Sequence, residues 1–239
     1  MKKLIGILAL ILVIATICSG LIFYFGKYLP DKKQGEDFAK MMAEYYDSKV
    51  ETFTKENQNI EAGEIDIAFI GDSLTDGYDL KHYYPEYLTA NRGIGGDTTF
   101  GLEKRLKVSL YDIQPKVVVM LIGANNLNTM FENYENILIS MKENLPHSDI
   151  VIVSLTSMGG SWGKNNNLAA FNNVKIKALA EKYGFSFVDV YTPLLNLEIN
   201  EIYPEYTTDG GHLTPLGYEV MTAEIKPVVA ELLENQAQK

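Results

Sequence analysis

The sequence predicts a three-layer α/β/α domain built on a five-stranded parallel sheet and preceded by an N-terminal transmembrane helix. Three observations carry this. Candidate strands and helices alternate from residue 65 to 233, without internal repeats or low-complexity segments. The runs Lys116–Ile122 and Asp149–Leu155 are apolar on both faces, as strands in the middle of a parallel sheet are. Leu4 to Phe25 is an almost unbroken apolar stretch, long enough as a helix to cross a hydrocarbon core of ~30 Å.

In chain order, Met1-Lys2-Lys3 and the apolar stretch read as an uncleaved signal anchor over residues 1–28. The alternative is a secreted protein cleaved near Cys18-Ser19-Gly20, which would leave Leu21–Phe25 exposed at the new terminus. A short basic head places the N-terminus in the cytoplasm and the body outside it. Residues 29–37 read as a polar linker. The domain then runs from 38 to 239 and opens with an amphipathic helix, 38–57, marked by Phe38, Met41, Met42, Tyr45, Tyr46, Val50 and Phe53. That stripe is expected to pack on the core.

The first strand, Ile65–Ile70, runs into Gly71-Asp72-Ser73-Leu74-Thr75. A serine lifted from a strand end at the start of a helix suits a nucleophile, and it equally suits a helix cap. Asp76–Tyr87 reads as a tyrosine-rich loop containing His82. A weak strand, Leu88–Arg92, leads into Gly93-Ile94-Gly95-Gly96-Asp97-Thr98-Thr99. Its glycines permit positive φ and close backbone approach, so the turn reads either as a nest for an oxyanion or as a plain strand–helix connection. The helix Phe100–Val108 follows. The strand Lys116–Ile122 ends in Gly123-Ala124-Asn125-Asn126, at the sheet edge where open α/β folds place their sites.

Helix Phe131–Asn144, strand Asp149–Leu155, helix Leu168–Tyr183 with its Gly184 cap, and strand Phe185–Val190 complete the alternation. Thr156–Asn167 is a glycine-rich loop with Trp162, the single tryptophan, and reads as a surface loop over a site. Tyr191–Thr208 is irregular. Asp209-Gly210-Gly211-His212 precedes a final helix that starts at Pro215, capped by Thr214. Asp209 and His212 are spaced so that a carboxylate can orient an imidazole.

Composition narrows the chemistry. The net charge is −10, and all of residues 1–30 contribute only Lys2, Lys3 and Lys27, so the body is strongly acidic and unsuited to nucleic acid. Cys18 is the only cysteine, which excludes an internal disulfide and a Cys/His zinc site. His-dependent chemistry must choose among His82, His147 and His212. The serine, glycine and asparagine turns and the Asp209–His212 pair all fall at strand carboxyl ends, on one edge of the sheet.

These residues resemble the SGNH, or GDSL-type, hydrolase superfamily over roughly residues 63–235. Gly71–Leu74 is similar to its first block, Gly93–Thr98 to its second, Gly123–Asn126 to its third and Asp209–His212 to its last. The phrase from Asn91 to Thr99 looks most similar to the branch that resembles platelet-activating-factor acetylhydrolase catalytic subunits. The resemblance implies a flavodoxin-like sheet and a serine esterase or lipase-type hydrolase that cleaves acyl esters through an acyl-enzyme. It implies Ser73 as nucleophile, His212 as general base and Asp209 as its orienting acid. The backbone N–H groups of Ser73 and Gly96 and the side chain of Asn125 would form the oxyanion hole. No metal or organic cofactor is implied. The substrate would be an acyl ester of a small molecule, a glycan or a lipid, met at the membrane through the N-terminal helix. The alternatives are an acyltransferase acting on cell-surface glycans and a membrane-anchored binding module with a dead site. Two positions depart from the family pattern. Asn126 stands in place of an acid expected to be structural, and Ala124 in place of a common threonine.

Overall fold

A computed structural model describes residues 12, 16, 19–21 and 23–238. The expected membrane-spanning helix therefore lies for the most part outside the described residues. Among the described residues no helix is long and apolar enough to cross a membrane. The chain divides into two units between Asp47 and Ser48.

The expected linker at 29–37 is instead helical, within one helix from Leu29 to Asn57. Its charged residues are good helix formers, and Lys32–Glu36 and Lys40–Glu44 form ion pairs one turn apart. The expected core packing of the aromatic stripe is seen in its last part, within the second unit. Phe38, Met41 and Tyr45 are exposed, whereas Phe53, at 2% exposure, is buried.

The sheet contains β1 (Ile67–Gly71), β2 (Thr89–Gly93), β3 (Val117–Leu121), β4 (Asp149–Val153) and β5 (Ser186–Val188). All four pairings are parallel, and the spatial order is β2-β1-β3-β4-β5, the doubly wound flavodoxin-like order. The alternation of side chains across the pleat separates two apolar layers. Ala68, Ile70, Val118, Met120, Ile150 and Ile152 face the helices Thr99–Lys104, Tyr134–Asn144 and Asn166–Tyr183. Ile67, Phe69, Val119, Leu121, Val151 and Val153 face the other way, toward the helix Pro215–Ala237 and the tyrosine-rich segment.

Local departures from the sequence reading have identifiable causes. Asp76–Tyr87 is not all loop: short helices form at Ser73–Asp76 and Leu80–Tyr83, capped by Asp72 and Asp79. The helix expected at Phe100–Val108 stops at Lys104 and resumes as a π-turn at Lys107–Tyr111, with buried Arg105 between them. Within Tyr191–Thr208, Leu195–Asn196 pairs antiparallel with Glu201–Ile202 in a two-stranded ribbon.

Candidate active site

The register of the three central strands sets the site. Gly71 pairs with Gly93 on one side and with Leu121 on the other, so β2, β1 and β3 end abreast. The turns that carry Ser73, Gly96 and Asn125 therefore leave the sheet from one row. Gly93 makes this proximity achievable: a Cβ there would lie 2.1 Å from the backbone nitrogen of Asp76. Only a residue without a side chain lets β2 run this close to the serine turn.

Side chains then lock the turns together. The Asn91 amide donates to the carbonyls of Thr75 (2.7 Å) and Tyr78 (3.2 Å) and accepts from the Gly93 N–H (2.9 Å). Asp76 accepts from the Gly95 N–H at 3.0 Å and pairs with Lys49 at 2.7 Å. Arg105, 1% exposed, donates to the Gly71 carbonyl (2.9 Å), the Arg92 carbonyl (2.7 Å), Ser109 (3.0 Å) and the Asp97 carboxylate (2.8 Å). One guanidinium thus clamps the ends of β1 and β2 and the glycine turn.

Asn125 donates from Nδ2 to the Asp97 carbonyl at 2.9 Å, which aims its second N–H. Gly96 stands next to Asp97 in an exposed turn at φ 77°, and does not line the cavity beside Ser73. Asn126, the departure in the third block, accepts from the Thr99 N–H at 3.3 Å and donates to Thr99 Oγ1 at 2.9 Å. The amide accepts with its oxygen and donates with its nitrogen in this pair of contacts. Asn126 therefore binds the second and third turns together.

The imidazole arrives from the opposite end of the chain. His212 Nε2 lies 3.0 Å from Ser73 Oγ, and His212 Nδ1 lies 2.8 Å from Asp209 Oδ2. The other oxygen of Asp209 accepts from the N–H groups of Gly211 (2.9 Å) and His212 (2.8 Å). Partial burial works to raise the Asp209 pKa. The His212 N–H, its ring and the Gly211 N–H outweigh this and hold it at about 2. A carboxylate with no proton of its own requires the imidazole proton on Nδ1, leaving Nε2 free to accept from the serine hydroxyl.

The Asp209–His212 turn rests on the Trp162 loop. Gly159 N–H donates to the Gly210 carbonyl at 2.9 Å, and Ser161 Oγ donates to the Asp209 carbonyl at 3.3 Å. A Cβ on Gly210, which sits at φ 92°, would fall 1.8 Å from the Gly159 carbonyl oxygen. The Trp162 ring packs against Gly211 and meets His212 edge-on at 6.3 Å between centroids. The expectation that Thr156–Asn167 covers a site is met, because Thr156, Met158 and Trp162 line the cavity beside Ser73. That cavity has a volume of about 20 Å³.

The structure brings together Ser73, Asp209, His212 and Asn125. His82 and His147 do not line the cavity. Sequence reasoning did not single out Arg105, Asp97, Asn91 or Asp72 as supports. A signal existed for Arg105, since the chain holds only two arginines and both are buried at this edge. Asp72, directly before the serine, is 1% exposed and accepts from the Leu74 N–H at 3.1 Å. Burial pushes its carboxyl up to about 7, against the Leu74 N–H, and the charge of Asp97 adds to the rise.

Comparison with known proteins places this architecture among enzymes that hydrolyse ester bonds. The chain belongs to the GDSL-like Lipase/Acylhydrolase family, whose model matches residues 69–220. Platelet-activating factor acetylhydrolase IB subunit alpha2 of Homo sapiens is 28% identical over 199 residues, covering 72% of this chain and 79% of that protein. A GDSL-like lipase from Bacteroides thetaiotaomicron superposes with a TM-score of 0.69 at 23% identity, over 76% of this chain and 97% of that one. An acetylxylan esterase from Geobacillus stearothermophilus superposes with a TM-score of 0.57 at 21% identity, over 70% and 95% of the two chains.

Proposed function

We propose that the chain is a serine esterase specific for short acyl groups, acetyl above all, with Ser73 as nucleophile. The observation that carries this is the relay from Ser73 Oγ to His212 Nε2 (3.0 Å) and from His212 Nδ1 to Asp209 (2.8 Å). Ser73 Oγ attacks the ester carbonyl carbon and gives its proton to His212. The C–O bond to the alcohol then breaks as His212 protonates the departing oxygen. Water attacks the acyl-serine, again losing a proton to His212, and Ser73 regains it as the carboxylic acid leaves. The second N–H of Asn125 and the backbone N–H of Ser73 receive the oxyanion.

The acyl preference follows from the cavity bounded by Leu74, Met158 and Trp162. These bulky side chains crowd the space beside Ser73 and support a small acyl group there. The test is hydrolysis of 4-nitrophenyl esters of increasing chain length. Acetate should exceed butyrate, and octanoate should be turned over at least ~100-fold more slowly, as two to three kcal/mol of misfit implies. Ser73→Ala should abolish turnover and labelling by a fluorophosphonate. Labelling that persists in Ser73→Ala would overturn the assignment.

The apolar run Leu4–Phe25 supports a cell-membrane location with the catalytic domain outside the cytoplasm. Protection of the domain from protease added to intact cells would count against it.

A further inference from the structure

We propose that Glu201 is a positioning residue for His212: its carboxylate holds the Trp162 loop in the shape that seats the Asp209–His212 turn against Ser73. This rests on the reading of Ser73 and His212 given above. It adds to that reading a residue that acts only through the loop.

Glu201 lies in the two-stranded ribbon, opposite Asn196. The short helix of the loop, Gly160–Asn165, starts behind Gly159, which has no side chain with which to cap it. Glu201 supplies the missing acceptor from 41 residues further on, where the Gly160 N–H donates to its Oε2 at 3.0 Å. Two glycines close around the same carboxylate. A Cβ on Gly159 would lie 2.8 Å from Oε2, and one on Gly163 would lie 2.6 Å from Oε1. The loop is thus wrapped on Glu201, with no room for a side chain between them. The neighbouring backbone fixes the register of that contact. Ile202 N–H donates to the Met158 carbonyl at 3.3 Å, and buried Asn166 joins the Met158 N–H (2.7 Å) to the Asn200 carbonyl (2.8 Å).

The same two residues, Gly159 and Gly160, meet the Asp209–His212 turn. Gly159 N–H donates to the Gly210 carbonyl, and a Cβ on Gly160 would lie 3.2 Å from the Asp209 carbonyl oxygen. A short stretch of backbone is therefore held between the Glu201 carboxylate and the turn, and a shift of one is passed to the other. The His212 side chain is 46% exposed, so little else fixes its distance from Ser73. Misplacing a reacting group by ~1 Å can cost about 10²-fold in rate. Met158 and Trp162, on the same loop, also line the cavity beside Ser73.

The full chain is compared with its Glu201→Ala, Glu201→Gln and Gly163→Ala variants on 4-nitrophenyl acetate, with kcat taken per site titrated by a fluorophosphonate. Glu201→Ala should lower kcat about 10- to 100-fold with KM within about twofold of wild type. Trp162 is the only tryptophan, so a change in its emission in that variant reports the loop directly. Glu201→Gln keeps an oxygen for the Gly160 N–H and should restore kcat to within about threefold of wild type. Gly163→Ala displaces the carboxylate without removing it. It should lower kcat about tenfold alone, and less than about twofold when added to Glu201→Ala, where nothing is left to displace. A lower melting temperature in Glu201→Ala with kcat per titrated site unchanged overturns the proposal, because it leaves Glu201 a purely structural role. An equal effect of Gly163→Ala in both backgrounds overturns it too. A wild-type chain that hydrolyses the ester but takes no label at Ser73 would sink the Ser73 reading instead, and this role of Glu201 with it.

Discussion

The two halves of the site are held in different ways. On the nucleophile side, the turns carrying Ser73, Gly96 and Asn125 leave three strands in register and are tied by a buried network through Arg105, Asp97 and Asn91. On the base side, Asp209 and His212 sit in a turn whose side chains are each 46% exposed, steadied by its own backbone N–H groups and by the Trp162 loop. Ser73 and Asn125 are thus placed by the core itself, at the cost of burying the charged pair Arg105–Asp97. His212 is placed by local hydrogen bonds in a half-exposed turn, where the proposed mechanism needs a proton to pass to a leaving alcohol and water to reach the acyl-serine. The lesson is that rigidity is concentrated where geometry decides the rate, and exposure where material must enter and leave.

Substitutions on the two sides should therefore separate activity from stability. The largest effect is expected at Asp209→Asn, with kcat down by ~10⁴ from the wrong imidazole tautomer. The melting temperature should move by only a few degrees, because the carboxylate is half exposed and its contacts are local. A large loss of melting temperature in that variant would erase the distinction between the two sides. Next, Arg105→Met leaves Asp97 buried without its partner and should cost about 3–5 kcal/mol. That corresponds to roughly 10 °C or more by calorimetry, with activity lost in step with folding. Asn125→Ala should lower kcat by ~10²–10³ with little change in KM, measured on 4-nitrophenyl acetate. A change confined to KM would remove Asn125 from the oxyanion hole.

The smallest effect concerns Asp72, whose carboxyl titrates at about 7 in the folded chain against 3.8 ordinarily. From about pH 4 to about 7 the folded state holds the proton more tightly than the unfolded one. This group therefore makes stability fall with rising pH across that window, and adds no further slope above it. Asp72→Asn should remove that decline and raise the melting temperature at pH 8 by about 3 °C, on the basis of ~1 kcal/mol regained. Asp209 acts in the opposite sense. Its pKa of about 2 gives stability present above about pH 4 and lost as pH falls through 2, so acid titration of the Asp72→Asn variant leaves that loss in place.

Much of the fold was legible because apolar runs such as Val117–Leu121 encode burial directly, and the sheet order follows from alternating strands and helices. Ser73, Asn125, Asp209 and His212 were legible because each follows a strand end or a turn signal. Arg105 was not, because it lies inside a helical pattern where an arginine ordinarily faces solvent, and only the register of β1 against β2 reveals what it clamps. That residues 29–37 are helical was not legible, because polarity resembles a loop until a one-turn ion pair such as Lys32–Glu36 is counted.

The contact between Gly159 and Gly210 has a bearing on how this enzyme can be altered. The loop that lines the Ser73 cavity with Trp162 is also the brace behind the turn that carries His212. Swapping in a loop of different length to change substrate choice would shift His212 along with it. Turnover and selectivity are mechanically joined at that point, and an engineer must exchange residues 159–163 and 209–212 as one cassette.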